Sequence, residues 1–223
     1  MVSRTWSYFR HYGLKATVRK VGRNPVPSII KMIYLDETHV WYELPLGTDR
    51  PRVNKLRDLS LTRVGMKDLL LLDQLPTNVS TYEARQRIAA GHDLWLALKG
   101  RQPVFACWVF HGSLPVSASR HGHIALPSEI VAFEDSVASP AYRGRGIGLA
   151  VWPKIADRLE ESTARTIITK VEEDNVTARR SFEKSGFREV ATVHFRRKGL
   201  WRELTMRTGN GVTARWLAEQ LAR

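Results

Sequence analysis

The chain has 223 residues, 43% of them hydrophobic and 26% charged, which suffices for one substantial core with an appendage and is short for two full domains. With 35 Lys and Arg against 22 Asp and Glu, the formal charge is +13 and the pI about 10.3, so the surface attracts anions. A membrane-spanning apolar run, a secretory leader and an intrachain disulfide are all excluded by pattern, the last because Cys107 is the single cysteine; the expectation is a cytoplasmic protein.

Residues 1–35 carry Arg4, Arg10, Lys15, Arg19, Lys20, Arg23 and Lys31 and no acid. Ser3 is placed to cap a helix with Trp6, Phe9 and Tyr12 on one side, although Gly13 weakens it. Such a basic amphipathic segment either packs on its own domain or meets an anionic membrane through residues 1–23, an acidic carrier or nucleic acid. Residues 29–35 and 40–44 read as two paired strands with 36–39 as their turn, and 45–57, rich in Gly, Pro and charge, as a linker. The division expected is a basic N-terminal helical and strand extension with its linker over 1–57, and the main domain over 58–223.

The main domain opens with a strand at 59–64 and two helices at 66–75 and 80–90, the second capped by Ser80 with Glu83 three residues on. A hairpin follows, 93–98 and 104–110 across Lys99-Gly100-Arg101-Gln102, and its apolar second arm makes Cys107 a packing residue rather than a nucleophile. His121-Gly122-His123 reads as a polar loop, since a metal site needs further ligands. Residues 130–137, between Pro127 and Pro140, form a β-branched and aromatic strand that runs into Arg143-Gly144-Arg145-Gly146-Ile147-Gly148. After that turn Val151, Trp152, Ile155, Ala156 and Leu159 recur at helical spacing, so the glycines lie at a helix N-terminus, where main-chain N–H groups and the dipole favour an anion. The dinucleotide fingerprint fails at Leu149, and no Gly-Lys-Ser/Thr follows for a P-loop. Late strands at 187–195 and 201–206 and a short helix at 213–221 complete the chain.

Arg143, Gly146 and Gly148 do fit R-x-x-G-x-G, and Asn175 lies 32 residues beyond Arg143, heading Asn175-Val-Thr-Ala178-Arg-Arg-Ser181-Phe182-Glu-Lys-Ser-Gly186-Phe187. Read alone, Asn175 is a helix N-cap and Gly186 a C-cap. In this order and spacing the two motifs resemble the GNAT (general N-acetyltransferase) superfamily over about residues 130 to 190.

That resemblance implies a mixed α/β (α+β) fold, a mostly antiparallel twisted sheet flanked by helices, here with a basic N-terminal extension. It also implies transfer of an acyl group, acetyl in the first instance, from acetyl-coenzyme A to a primary amine, with no metal. The family strand parts from its neighbour just before the loop, so the main-chain N–H groups of Ser136, Val137, Ala138 and Ser139 are expected to bond the pantetheine arm and the thioester carbonyl. Those of Arg145, Gly146, Ile147 and Gly148 are expected to hold the pyrophosphate, Arg143 to order the loop with Gly144, and Arg145, Arg179 or Arg180 to meet the outer phosphates. Glu134, nine residues before Arg143, is favoured as the base over Asp135; neighbours on a strand face opposite ways, so one of the two is expected in the cleft. Where the family often has a tyrosine to protonate the leaving thiolate, seven residues after the motif asparagine, this chain has Phe182. The charge surplus points to an anionic acceptor. Transfer of longer acyl chains to a carrier-bound or nucleotide-linked substrate, or a noncatalytic module binding coenzyme A or nucleic acid, are the alternatives.

Overall fold

From Pro103 to Phe110 every side chain is apolar, the pattern of a strand covered on both faces. A computed structural model describes residues 34–51 and 58–222 and places that strand within a large sheet. Ten strands are formed by the described residues: β1 (Tyr34–Pro45), β2 (Leu59–Val64), β3 (Asp93–Lys99), β4 (Gln102–Phe110), β5 (Ser113–Pro115), β6 (His123–Ala125), β7 (Ile130–Ala138), β8 (Thr166–Glu172), β9 (Arg188–Lys198) and β10 (Trp201–Thr208). Eight of them join in the order β10-β9-β1-β8-β7-β4-β3-β2, while β5 and β6 pair as a separate ribbon. All neighbours in the large sheet run antiparallel except β7 and β8, whose crossover contains a helix.

Among the described residues four α-helices cover the sheet: α1 (Thr81–Ala89), α2 (Ile147–Leu159), α3 (Val176–Lys184) and α4 (Val212–Ala222). Side-chain alternation along the strands divides the core into two layers. On one face Leu94, Leu96, Trp108 and Phe110 pack with Ala84 of α1 and Leu217 and Leu221 of α4. On the other, Phe105, Val109 and Phe133 meet Val151, Ile155 and Leu159 of α2 and Phe182 of α3. The mixed, mostly antiparallel sheet flanked by helices is the one expected, and the strand at 59–64 and the hairpin across Gly100 form where the sequence places them. Ser80 caps α1, its hydroxyl accepting from the Glu83 N–H at 3.1 Å. Met66–Gln74, expected to be α-helical, is a 3-10 helix that buries only Leu69 and Leu72.

Two expectations at the N-terminal side are corrected. Residues 34–45 form one continuous strand, not a hairpin turning at 36–39: Asp36 pairs with Arg196 and His39 with Val193 and Glu172. The polar stretch 36–39 lacks Gly or Pro, and its side chains are satisfied within the sheet, Asp36 accepting from His194, Arg196 and Tyr34. Consequently the division at 57/58 cuts through one sheet, because β1 is an interior strand between β8 and β9. The segment after β1 is also tied down, with Arg50 paired to Glu160 and Asp157 and the Gly47 N–H donating to Glu160 at 3.0 Å. The capped helix read at residues 1–23, the strand residues 29–33 and the linker residues 52–57 lie outside the described residues.

Candidate active site

The β7–β8 ladder runs from Ile130 opposite Thr166 to Phe133 opposite Thr169 and stops, although both strands continue. Thr169 closes the last rung by donating its hydroxyl to the Phe133 carbonyl at 3.0 Å. Beyond it the strands part, and a cleft of about 780 Å³ opens along the gap. On its other side β7 stays bonded to β4 as far as the Ser139 N–H, which donates to the Val104 carbonyl at 2.9 Å. Strand N–H groups alternate in direction, so that of Ala138 faces the opened gap while Ser139's is consumed by β4.

A bulge interrupts β7 where the gap begins. Ala106 pairs with Val137 and Trp108 with Glu134, leaving Cys107 to face two residues, Asp135 and Ser136. Asp135 takes a φ of 49°, which turns the chain by one position. Glu134 and Asp135 therefore lie on the same face and both line the cleft, contrary to the alternation expected of neighbours. Ser136 and Ala138 are returned to the face of α2 and α3, and Val137 to the opposite core layer, away from the cleft.

On the α2 face the glycine turn ends in Gly146, the helix N-cap, with φ 75°. The first-turn N–H groups of Ile147 and Gly148 have no intrahelical acceptor and point out of the helix end. Arg145 differs from its expected part: its N–H folds back to the Tyr142 carbonyl at 3.4 Å, and its side chain does not line the cleft. Arg143, Gly144, Gly146, Ile147 and Gly148 do line it, as do Asn175, Arg180, Lys184 and Phe182 across from them. Asn175 also caps α3, accepting from the Ala178 N–H at 3.2 Å. Arg179 turns elsewhere, donating to the Tyr42 hydroxyl and to the Glu173 carbonyl.

Phe182 is buried and stacks on Trp152 with centroids 4.0 Å apart. The indole N–H donates to the Ser136 hydroxyl at 3.2 Å, which donates in turn to the Cys107 sulfur at 3.3 Å. Burial holds the Cys107 thiol un-ionised, pushing it up to about 12, so it is a packing residue as read.

The opposite face of the same gap is acidic. Glu134 is ion-paired to Lys170 of β8, whose ammonium also lies 5.7 Å from the centre of the Trp41 ring. Asp135 binds Arg87 of α1 at 2.8 Å, and Arg87 reaches Glu83 at 2.7 Å. Glu172 stands further along β8, and Phe110, Pro115 and Ser117 form a wall. Lys170 and Arg87 go unmarked in the sequence, and Glu83 and Trp152 are marked there only as capping and helix-packing residues. The available signals were a lysine in the mostly β-branched run Ile167–Val171 and an i,i+4 Glu–Arg pair on the buried side of a helix. Among the described residues no group of three His, Cys, Asp or Glu side chains is disposed to hold a metal, and no helix is long and apolar enough to cross a membrane.

The profile of the Acetyltransferase (GNAT) family matches residues 73–187, more than half of the chain. In solved structures the fold is similar to a GNAT-family acetyltransferase from Colwellia psychrerythraea, at 13% identity and TM-score 0.52, covering 74% of this chain and 57% of that one. It is similar also to a functionally unknown conserved protein from Staphylococcus epidermidis, at 11% identity and TM-score 0.50, covering 78% of this chain and 67% of that one. A Drosophila protein aligns at 9% identity and TM-score 0.51, over 81% of this chain, which spans 58% of its length. No curated protein matches the chain.

Proposed function

Because the chain belongs to the Acetyltransferase (GNAT) family, we propose that it transfers an acetyl group from acetyl-coenzyme A to a primary amine, with the donor on the α2 and α3 face and the acceptor on the acidic face. The observation that carries this reading is the parted β7–β8 pair, a slot through the sheet that joins a helix N-terminus on one face to carboxylates on the other. The N–H groups of Ile147 and Gly148, with Arg143, Arg180 and Lys184 nearby, suit the pyrophosphate and outer phosphates. The N–H groups of Ser136 and Ala138 suit the thioester carbonyl and the pantetheine arm.

In the reaction the amine nitrogen attacks the carbonyl carbon, the oxyanion is held by main-chain N–H, the carbon–sulfur bond breaks, and the thiolate takes a proton from water. Phe182 has no proton to supply; its ring, with Trp152, walls the arm's passage. Glu134 is the group placed to take the amine's proton, directly or through water, once the substrate ammonium competes with Lys170 for the carboxylate. The four carboxylates Glu83, Glu134, Asp135 and Glu172 outnumber Arg87 and Lys170 on this face, which favours a cationic amine over the anionic acceptor suggested by the overall charge.

Calorimetry with acetyl-coenzyme A, then thiol release against a panel of amines, tests the reading. Saturable binding and faster release with cationic amines are expected; no binding at millimolar donor overturns it. Glu134→Gln should lower kcat about 100-fold at neutral pH while leaving donor affinity within about twofold.

A further inference from the structure

Asp135 is the one described residue inside a strand, glycines aside, with a left-handed φ, and it sits where β7 leaves its neighbour. That conformation costs an L residue about 1–2 kcal/mol, so the surroundings must hold it. Arg87 is placed to hold it. Its guanidinium donates a hydrogen bond to Glu83 Oε1 at 2.7 Å through Nη2 and is ion-paired with Asp135, whose Oδ2 lies 2.8 Å from Nη1, with all three side chains at most 8% exposed. It lies 5.0 Å from the Trp108 ring centre and 5.1 Å from that of Phe110. A planar fork fixed by two carboxylates and two rings has little freedom, and it ties α1 to the bulge.

We propose that Arg87 is a positioning residue that locks the β7 bulge, so that the peptide joining Asp135 to Ser136 presents its N–H to the thioester carbonyl. This rests on the acyl-transfer reading above. Asp135 is then the anchor of the bulge, and proton removal falls to Glu134 alone. The same clamp accounts for the buried Glu–Arg pair, the two α1 residues that line the cleft. Register matters because a one-residue slip would return Asp135 to the α2 face and aim the N–H of Ser136 at β4.

The test reads the carbonyl itself. Infrared difference spectra of acetyl-coenzyme A carrying carbon-13 at the carbonyl should show its stretching band at lower frequency when bound to the full chain than when free. In Arg87→Met the band should return most of the way to its free position, while affinity for coenzyme A, which has no acyl group, stays within about twofold. Arg87→Lys, able to reach one carboxylate at a time, and Asp135→Asn should give intermediate bands, and they carry the test if Arg87→Met does not fold. A wild-type band that persists in variants that still bind coenzyme A overturns the clamp alone. If the unmodified protein binds neither form of the coenzyme, the acyl-transfer reading falls and the clamp with it.

Discussion

Gly148 is constrained by packing rather than by backbone torsion. A Cβ there would lie 2.7 to 3.0 Å from three atoms of the Trp152 ring, and that ring cannot retreat because it is stacked on Phe182 and bonded to Ser136. Gly148→Ala should therefore cost about 1–3 kcal/mol, read as a lower urea midpoint, with weakened donor binding as the loop shifts. At Gly146 the constraint is torsional: φ is 75°, so Gly146→Val should add about 1–2 kcal/mol of strain and lower acetyl-coenzyme A affinity at least about tenfold by calorimetry. Cys107, whose thiol burial pushes up to about 12, should resist iodoacetamide in the native protein at mildly alkaline pH and react once urea unfolds it. Fast labelling of the native chain would contradict that burial.

Between elements, the β1–β9 pairing carries its own pH signature. Bonds from His194 first, then Tyr34 and Arg196, hold the Asp36 carboxyl down at about 2. A lowered folded value means the contribution is present above the ordinary carboxylate range, near 4, and is lost as pH falls toward 2. Asp36→Asn should therefore flatten the acid limb of the unfolding profile between those values, as followed by circular dichroism. The same strand shows where sequence stops being informative. The β3–β4 hairpin was legible because its turn is local and glycine-centred, and α2 because its apolar spacing is uninterrupted. By contrast β1 reads as two pieces until its partners are known, since Asp36 and Glu37 look like turn residues in the absence of Arg196, His194 and Phe195 opposite them. Helical periodicity at 66–74 likewise gave no means of telling an α-helix from the tighter 3-10 form.

At the scale of the molecule, the sheet is a partition: a glycine turn and helix N-terminus lie on one face, carboxylates on the other, and the β7–β8 gap connects them. The glycine loop and its helix were readable because contiguous residues build them. The clamp was not, because Glu83 and Arg87 come from a helix far from Asp135 in sequence, and the bulge that aligns them leaves no local signature. The overall charge and the acidic face point to opposite kinds of acceptor, since net charge is a property of the whole surface and specificity of a few side chains. The interior position of β1 bears finally on how the chain is made. It leaves the ribosome before any other strand described, yet among the described residues its sheet neighbours are β8 and β9, which are among the last to emerge. Until they arrive neither of these neighbours can pair with it, and without it the sheet has open edges on both sides of an empty slot. A chain beginning at residue 58 should accordingly aggregate on refolding, and a separately supplied peptide of residues 34–51 should rescue it by taking the vacant lane.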